Sequence, residues 1–342
     1  MPSMDIFNRP EFGVVSLSGM IETLPYVPTL LGSLNLFDPM PVRTRNVMFE
    51  RRADGMRLIP TSADGAPPEV LEAEDRDLVI MRTTRLAKRF TLYAYELDGI
   101  RAFGSETELM SVQAEYQRRA ARIKRDMSLT HEYHRLGALQ GVLLDSDGVT
   151  VIKNYYEEFE LTPPPAVTLD FRPTASGLRK QISNIKRDII RKSGGAIGLT
   201  AQIHALIGDA AFDALISHPE VERTYLNYQA AAELRNGTPI YESFTFGGVT
   251  WHNYRGTDDG TTIAIAPNAV RFFPVGAPDV FVKAMAPYEA LDYIGTAGQD
   301  TYMINVPDRD RNQWTKGEIY SYPLYVCQRP DLLRSGTVQV PA

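Results

Sequence analysis

Residues 105–137 read SETELMSVQAEYQRRAARIKRDMSLTHEYHRLG, and this stretch organises everything around it. Ser105-Glu106-Thr107-Glu108 is a capping box, with a hydroxyl at the cap and a carboxylate three positions on. Behind it Leu109, Val112, Tyr116, Ala120, Ile123, Met127, Thr130 and His134 advance by threes and fours, the period of one helical stripe. No Pro or Gly interrupts until Gly137, so a single helix is predicted over 105–136. At about 1.5 Å per residue it would be on the order of 45–50 Å long. A helix of that length is more often a spine or a coiled coil than one member of a packed core.

On the N-terminal side, Pro10, Pro25, Pro28, Pro39 and Pro41 cut apolar pieces such as Val14-Val15 and Leu30-Leu31. Proline at that density prevents long helices and biases the preceding residues toward extended chain. An apolar, proline-broken segment reads as an arm that lies on another surface. Next, Val47 to Glu50 reads as a strand, Asp54-Gly55 as a turn and Met56 to Ile59 as its antiparallel return. A loop follows over Thr61 to Pro68, then a second run of strand formers from Asp77 to Lys88. The whole looks like a long hairpin with little core of its own, which is marginal unless a partner covers it.

On the C-terminal side, Asp145 to Gly148 reads as a turn, with strand-like alternation at Val149, Val151 and Tyr155. Pro163-Pro164-Pro165 is a rigid break. A second helix is predicted over Ser176 to Lys192, with Leu178, Ile182, Ile185 and Ile189 on one face and Ser193-Gly194-Gly195 closing it. Gln202 to Ile207 alternates, and Asp209 is expected to cap a short helix ended by His218-Pro219. Glu242 to Tyr254 reads as a hairpin about Gly247-Gly248. Strands are expected at Thr261 to Ala266, Val280 to Met285 and Glu318 to Val326, with polar Asp308 to Arg311 between the last two.

The chain has 342 residues, 44% hydrophobic and 23% charged, enough for a sizeable core. Its net charge of -6 argues against wrapping nucleic acid over most of its surface. The single cysteine, Cys327, allows no intrachain disulfide and reads as a small buried hydrophobe. Met1 to Pro10 carries Asp5, Asn8 and Arg9 and does not read as a secretory signal. No stretch approaches the roughly 18 apolar residues of a membrane helix.

The search for chemistry returns little. His131-Glu132-Tyr133-His134 is one residue short of the zinc-protease spacing. Asp279 ahead of Phe281-Val282-Lys283 supplies one carboxylate where Mg²⁺ chemistry needs a converging set. The glycines of 194–198 follow a helix where a dinucleotide fingerprint follows a strand, and no nucleophile elbow is present. Arg118, Arg119, Arg122, Lys124 and Arg125 could touch phosphate. The preferred reading pairs them with Glu106, Glu108, Glu115, Asp126 or carboxylates of neighbouring copies. No catalytic, cofactor-binding or metal-binding residue is assigned, no cofactor is expected, and the chain is not expected to be an enzyme.

The order of parts is arm, long hairpin, spine helix, apical α/β region and returning strands. It resembles the tailed-bacteriophage capsid fold, and specifically the lambda-type major capsid protein E family. Asp98-Gly99-Ile100-Arg101-Ala102-Phe103-Gly104-Ser105-Glu106 is similar to the family segment joining the hairpin to the spine helix. Ser321-Tyr322-Pro323-Leu324-Tyr325-Val326 through Arg329-Pro330-Asp331 is like its C-terminal strand and Pro-containing end.

The resemblance implies an α+β, HK-97-like fold with an N-terminal arm over 1–41 and an E-loop over 42–88. A peripheral domain would occupy 89–171, an axial domain 172–286, and returning peripheral strands with the C-terminus 287–342. It also implies self-assembly into hexamers and pentamers of an icosahedral head around double-stranded DNA, touched only weakly. The expected place is the virion, after assembly in the host cytoplasm. Expected partners are a separate scaffolding protein, a portal and a decoration protein, with no membrane. Crosslinking members need a Lys and Asn pair; nothing marks Lys88, Lys153 or Asn154 for that role, and none is expected. The rival readings are a hydrolase whose site is dispersed among residues such as His204, His218 and His252, and another virion component such as a tail-tube or decoration protein.

Overall fold

The computed structural model describes residues 30–51, 77–98, 108–174, 176–195, 197, 201–226, 243–254 and 265–341. The apolar end of the arm forms a single helical turn, α1 (Leu30–Ser33), and a strand, β1 (Asp38–Pro41). Both rest on this chain's own body, with Leu31 and Leu36 buried; residues 1–29 of the arm lie outside the described residues. A two-stranded ribbon follows, β2 (Asn46–Arg51) against β3 (Asp77–Arg82), antiparallel. Among the described residues the partner of β2 is therefore this later segment. Met56 to Ile59, the return strand expected from sequence, lies outside them, as do Asp54-Gly55 and Thr61 to Pro68.

The run expected over Asp77 to Lys88 is two strands, because β4 (Leu86–Tyr93) begins a new sheet after an extended link. A short helix, α2 (Ala94–Asp98), ends this portion. The spine is α3 (Glu108–Gln140), 33 residues; the capping box at 105–107 lies outside the described residues. Tyr116, Ala120, Ile123, Met127 and His134 of the predicted stripe are buried. The helix passes through Gly137, where the sequence reading ended it. A β-carbon at Gly137 would meet the Val142 carbonyl oxygen at 3.0 Å and Leu143 Cα at 3.2 Å. That glycine serves close packing, and the helix stops instead at Gly141, whose φ of 81° is left-handed.

The next hairpin joins β5 (Val142–Leu144) to β6 (Val151–Asn154). The Asp147 carboxylate stabilises its turn by accepting from the Val149 and Thr150 N–H groups. Tyr155, expected in a strand, opens the helix α4 (Tyr155–Glu158), because the Asn154 side chain caps it by accepting from Tyr156 N–H. After β7 (Val167–Asp170), α5 (Leu178–Lys192) buries Leu178, Ile182, Ile185 and Ile189 as predicted.

The apical region continues with β8 (Gln202–Ile207), α6 (Asp209–Ile216) and α7 (Pro219–Leu226). The cap of α6 is Gly208, not Asp209, which is the first helical residue. A β-carbon at 208 would lie 2.4 Å from the Ala266 carbonyl oxygen, so backbone approach decides the position. Strand β8 does not alternate as expected: Ile203 to Ile207 are all buried, because it is central in its sheet. Strands β9 (Ser243–Phe246) and β10 (Val249–Asn253) form the predicted hairpin, with Gly247 and Gly248 at φ 66° and 76°. Most of the strand expected at Thr261 to Ala266 lies outside the described residues.

Strands β11 (Ala269–Val275), β12 (Phe281–Met285) and β13 (Tyr302–Pro307) lead into the C-terminal part. The strand expected from Glu318 to Val326 is two, β14 (Trp314–Ser321) and β15 (Pro323–Cys327), in different sheets and separated at Tyr322. Asp308 closes the β13–β14 loop by accepting from the N–H groups of Asp310, Arg311 and Gln313. The last strand is β16 (Arg334–Gln339).

The six-stranded sheet has the order β7-β16-β11-β8-β10-β9, with the first and fourth pairings parallel. One hydrophobic cluster joins it to α5, α6 and the end of α3 through Ile182, Ile185, Phe212, Trp251, Phe272 and Leu139. Two three-stranded sheets, β1-β12-β15 and β13-β14-β4, lie against the length of α3. The final strand thus returns to the six-stranded sheet, by pairing antiparallel to β11.

Candidate functional site

The constellations that the sequence offers for catalysis resolve into packing. His131 places Nδ1 2.7 Å from the Tyr325 hydroxyl and Nε2 3.3 Å from the Ser321 hydroxyl. This is a Ser–His pair in outline, but Ser321 is buried and donates its proton to the Asp300 carbonyl at 2.6 Å. The Asp300 carboxylate is taken by Lys283. Burial holds the His131 imidazole well below its ordinary pKa, and that of His134 near 4, so both stay neutral. His134 packs edge-on to Tyr325 and shares no ligand position with His131.

Of the three apical histidines, two meet. His204 Nδ1 lies 2.9 Å from His252 Nε2 across the parallel strands β8 and β10, both imidazoles pushed down in pKa by burial. His218 instead accepts the Glu220 N–H at 3.2 Å, at the start of α7. Asp279 sits in a turn at φ 59° ahead of β12. Cys327 is buried in β15, its thiol pKa raised by desolvation. Among the described residues no three His, Cys, Asp or Glu side chains converge to hold a metal. Lys88 is paired with Asp126, Lys153 with Glu158, and Asn154 is the α4 cap.

Among the described residues, the ribbon presents an unfinished surface. On one face Val47, Phe49 and Met81 are buried against Tyr155, Leu324 and their neighbours. On the other, Met48 stands directly opposite Ile80, and Leu78 opposite Glu50. Met48, Ile80 and Leu78 are 64%, 58% and 53% exposed. Strand alternation puts all three on one side, an apolar face with polar ends.

The base of the ribbon is anchored. Glu289 accepts from Arg45 before β2 and from Arg85 after β3, each at 2.8 Å, which keeps its carboxyl below the usual range. Arg45 lies over the Tyr322 ring at 4.7 Å and Arg85 over Tyr320 at 5.2 Å. Tyr288, Tyr293 and Tyr302 complete an aromatic cluster beneath them. These residues were missed in the sequence, although five tyrosines between 288 and 322 are a visible signal. Glu132 was missed as an anchor too. It accepts from the Leu31 and Gly32 N–H groups at 2.8 and 3.2 Å, docking the end of the arm on the spine.

Known proteins agree with this arrangement. The model of the family described as phage major capsid protein E matches residues 13–338. The major capsid protein of Salmonella phage Felix O1 is 22% identical, the match covering 95% of this chain and 96% of that protein. That of Pseudomonas phage KPP10 is also 22% identical, covering 87% and 89%. Among solved structures, the crystal structure of a prophage capsid protein of E. coli CFT073 superposes with a TM-score of 0.53 at 14% identity, covering 95% of this chain and 99% of that one. Its fold is the α+β, HK-97-like capsid fold expected from the order of segments. With a match that runs from the arm to the last strand, the chain belongs to the phage major capsid protein E family, a structural protein of the virion and not an enzyme.

Proposed function

We propose that the chain assembles into hexamers and pentamers that close the icosahedral head of a tailed phage around its double-stranded DNA. The observation that carries this reading is the ribbon with its outward face of Met48, Leu78 and Ile80. A two-stranded ribbon is marginal when one apolar face is in water, and a neighbouring copy that covers it removes that cost. Repeated around a closed symmetric shell, modest contacts become effectively intramolecular and sum to high stability.

In this reading residues 1–41 are the arm, 42–88 the E-loop, 89–171 with the strands of 287–342 the peripheral domain, and 172–286 the axial domain. The helix-covered six-stranded apical sheet supports an axial domain centred on 172–286, to which β7 (Val167–Asp170) and β16 (Arg334–Gln339) add strands from the flanking ranges. Shell formation takes place in the host cytoplasm with a separate scaffolding protein, and a portal and decoration protein complete the head. Electron microscopy of the purified chain, with and without scaffold, tests the reading. Capsomers or shells with residues 42–88 on an adjacent copy are the expected result, and a strictly monomeric species at high concentration would overturn it.

A further inference from the structure

The spine helix carries a second surface, separate from the ribbon and its anchors. Between α3 and the edge strand β4 lies an open cleft of about 880 Å³, lined by Arg89, Arg118, Arg119, Arg122, Arg125 and a single carboxylate, Glu115. Glu115 is nearly buried and already shared, at 2.7 Å from Arg118 and 2.8 Å from Arg119. Arg119 is held further by Glu96 at 2.8 Å and donates to the Thr91 carbonyl. Asp126, expected from sequence to balance this stretch, bonds Lys88 instead. Among the described residues no carboxylate pairs with Arg89, Arg122 or Arg125.

The arrangement has direction as well as charge. Arg118, Arg122 and Arg125 stand at i, i+4 and i+7, one stripe of the helix, and all three are exposed. They span about 10 Å of a rigid axis. Guanidinium groups held in a row, of which Arg118 shares Glu115 with Arg119 while Arg122 and Arg125 have no carboxylate partner among the described residues, match a row of phosphates, since each fork can bond phosphate in two places. The chain as a whole carries a net charge of -6, so any attraction for a phosphate backbone has to come from local basic surfaces such as this stripe. An extended acidic peptide fits less well, because the Thr91 carbonyl of the edge strand is already occupied by Arg119.

We propose that this cleft is the seat for the phosphate backbone of the packaged duplex, read by charge and not by base sequence. It rests on the shell reading above for the presence of DNA. The test is binding of a 20-base-pair fluorescent duplex to the purified full chain at several salt concentrations, alongside electron microscopy of the same preparations. For three phosphates contacted, affinity should fall roughly 40-fold between 50 and 200 mM salt. The variant R118Q/R122Q/R125Q should bind weakly with little salt dependence, and R118K/R122K/R125K should keep most of the salt dependence. Circular dichroism identifies any variant that fails to fold, in which case the single variant R125Q, with a reduced salt slope expected, decides.

No duplex binding by the unmodified chain would overturn the proposal, as would an unchanged salt slope in the Gln variant. Loss of shells in the Gln variant, with no duplex binding by the unmodified chain, would identify the stripe as a contact for an acidic protein segment and overturn it as well. Absence of shells from the unmodified chain would count against the shell reading alone, since duplex binding is read independently.

Discussion

The carboxylate of Glu132, midway through the buried end of the spine helix, accepts the backbone N–H of Leu31 at 2.8 Å across 101 residues of sequence. Its second oxygen accepts from Gly32, and Arg135 neutralises the pair at 3.2 Å. A one-turn helix cannot sustain itself, so this bond and the burial of Leu31 place the arm. Glu132→Ala leaves two donors of the arm without this acceptor and takes one carboxylate from Arg135. The expected loss is about 2–3 kcal/mol in urea unfolding, with faster proteolysis across residues 30–41.

The buried histidines make the fold sensitive to acid. Burial lowers the pKa of His134 and His252 to about 4 and depresses that of His131 below its ordinary value. A group depressed on folding binds its proton first in the unfolded chain. Stability is therefore full above the unfolded value near 6.5 and falls as pH drops from there toward 4. Each such histidine contributes a slope of up to roughly 1.4 kcal/mol per pH unit in that window. His134 Nδ1 has no hydrogen-bond partner, so His134→Leu should cost little at pH 7 and reduce the slope of the urea midpoint between pH 6.5 and 4. An unchanged slope would show that His134 is not one of the responsible groups.

Ile80 and Met48 face each other on the open side of the ribbon, where a charge costs the isolated subunit little. Ile80→Lys combined with Met48→Glu should leave the thermal unfolding of the unassembled subunit within about 0.5 kcal/mol, the usual range for surface changes, because opposite charges then face each other across the strands. Shell formation, followed by sedimentation, should be lost. Normal shells from this variant would show that the face stays in water after assembly.

Gly317 in β14 is set by space. A β-carbon there would lie 2.4 Å from Phe90 Cζ and 2.8 Å from the Tyr116 hydroxyl, where the sheet meets the spine. Gly317→Ala should destabilise the subunit by about 1–3 kcal/mol, measurable by urea unfolding, because the Phe90 and Tyr116 rings must separate to admit it.

Glu289 ties the two legs of the ribbon through Arg45 and Arg85 on a partly exposed surface. Glu289→Gln should cost the subunit no more than about 1 kcal/mol. Its larger effect should be faster proteolysis across residues 77–85 and a lower yield of shells, since the ribbon leaves its base at a less defined angle.

The sequence by itself determined the elements that repeat a local rule. The spine stripe from Tyr116 to His134, the face of Leu178, Ile182, Ile185 and Ile189, and the Gly247-Gly248 hairpin need only periodicity and turn chemistry, which neighbours in sequence supply. Tertiary structure decided wherever a position answers to something distant. Gly137 reads as a helix stop but admits the β5 backbone, and a strand that looked continuous from Glu318 to Val326 divides at Tyr322 to serve two sheets. The same holds for function. The sequence supplied the arginines of the spine and, in Glu115, a carboxylate at helical spacing from Arg118 and Arg119; only the fold gave Asp126 to Lys88, leaving Arg122 and Arg125 open. Helical spacing fixes pairs within one helix, whereas a pair between two elements depends on a distance through space that the sequence does not carry.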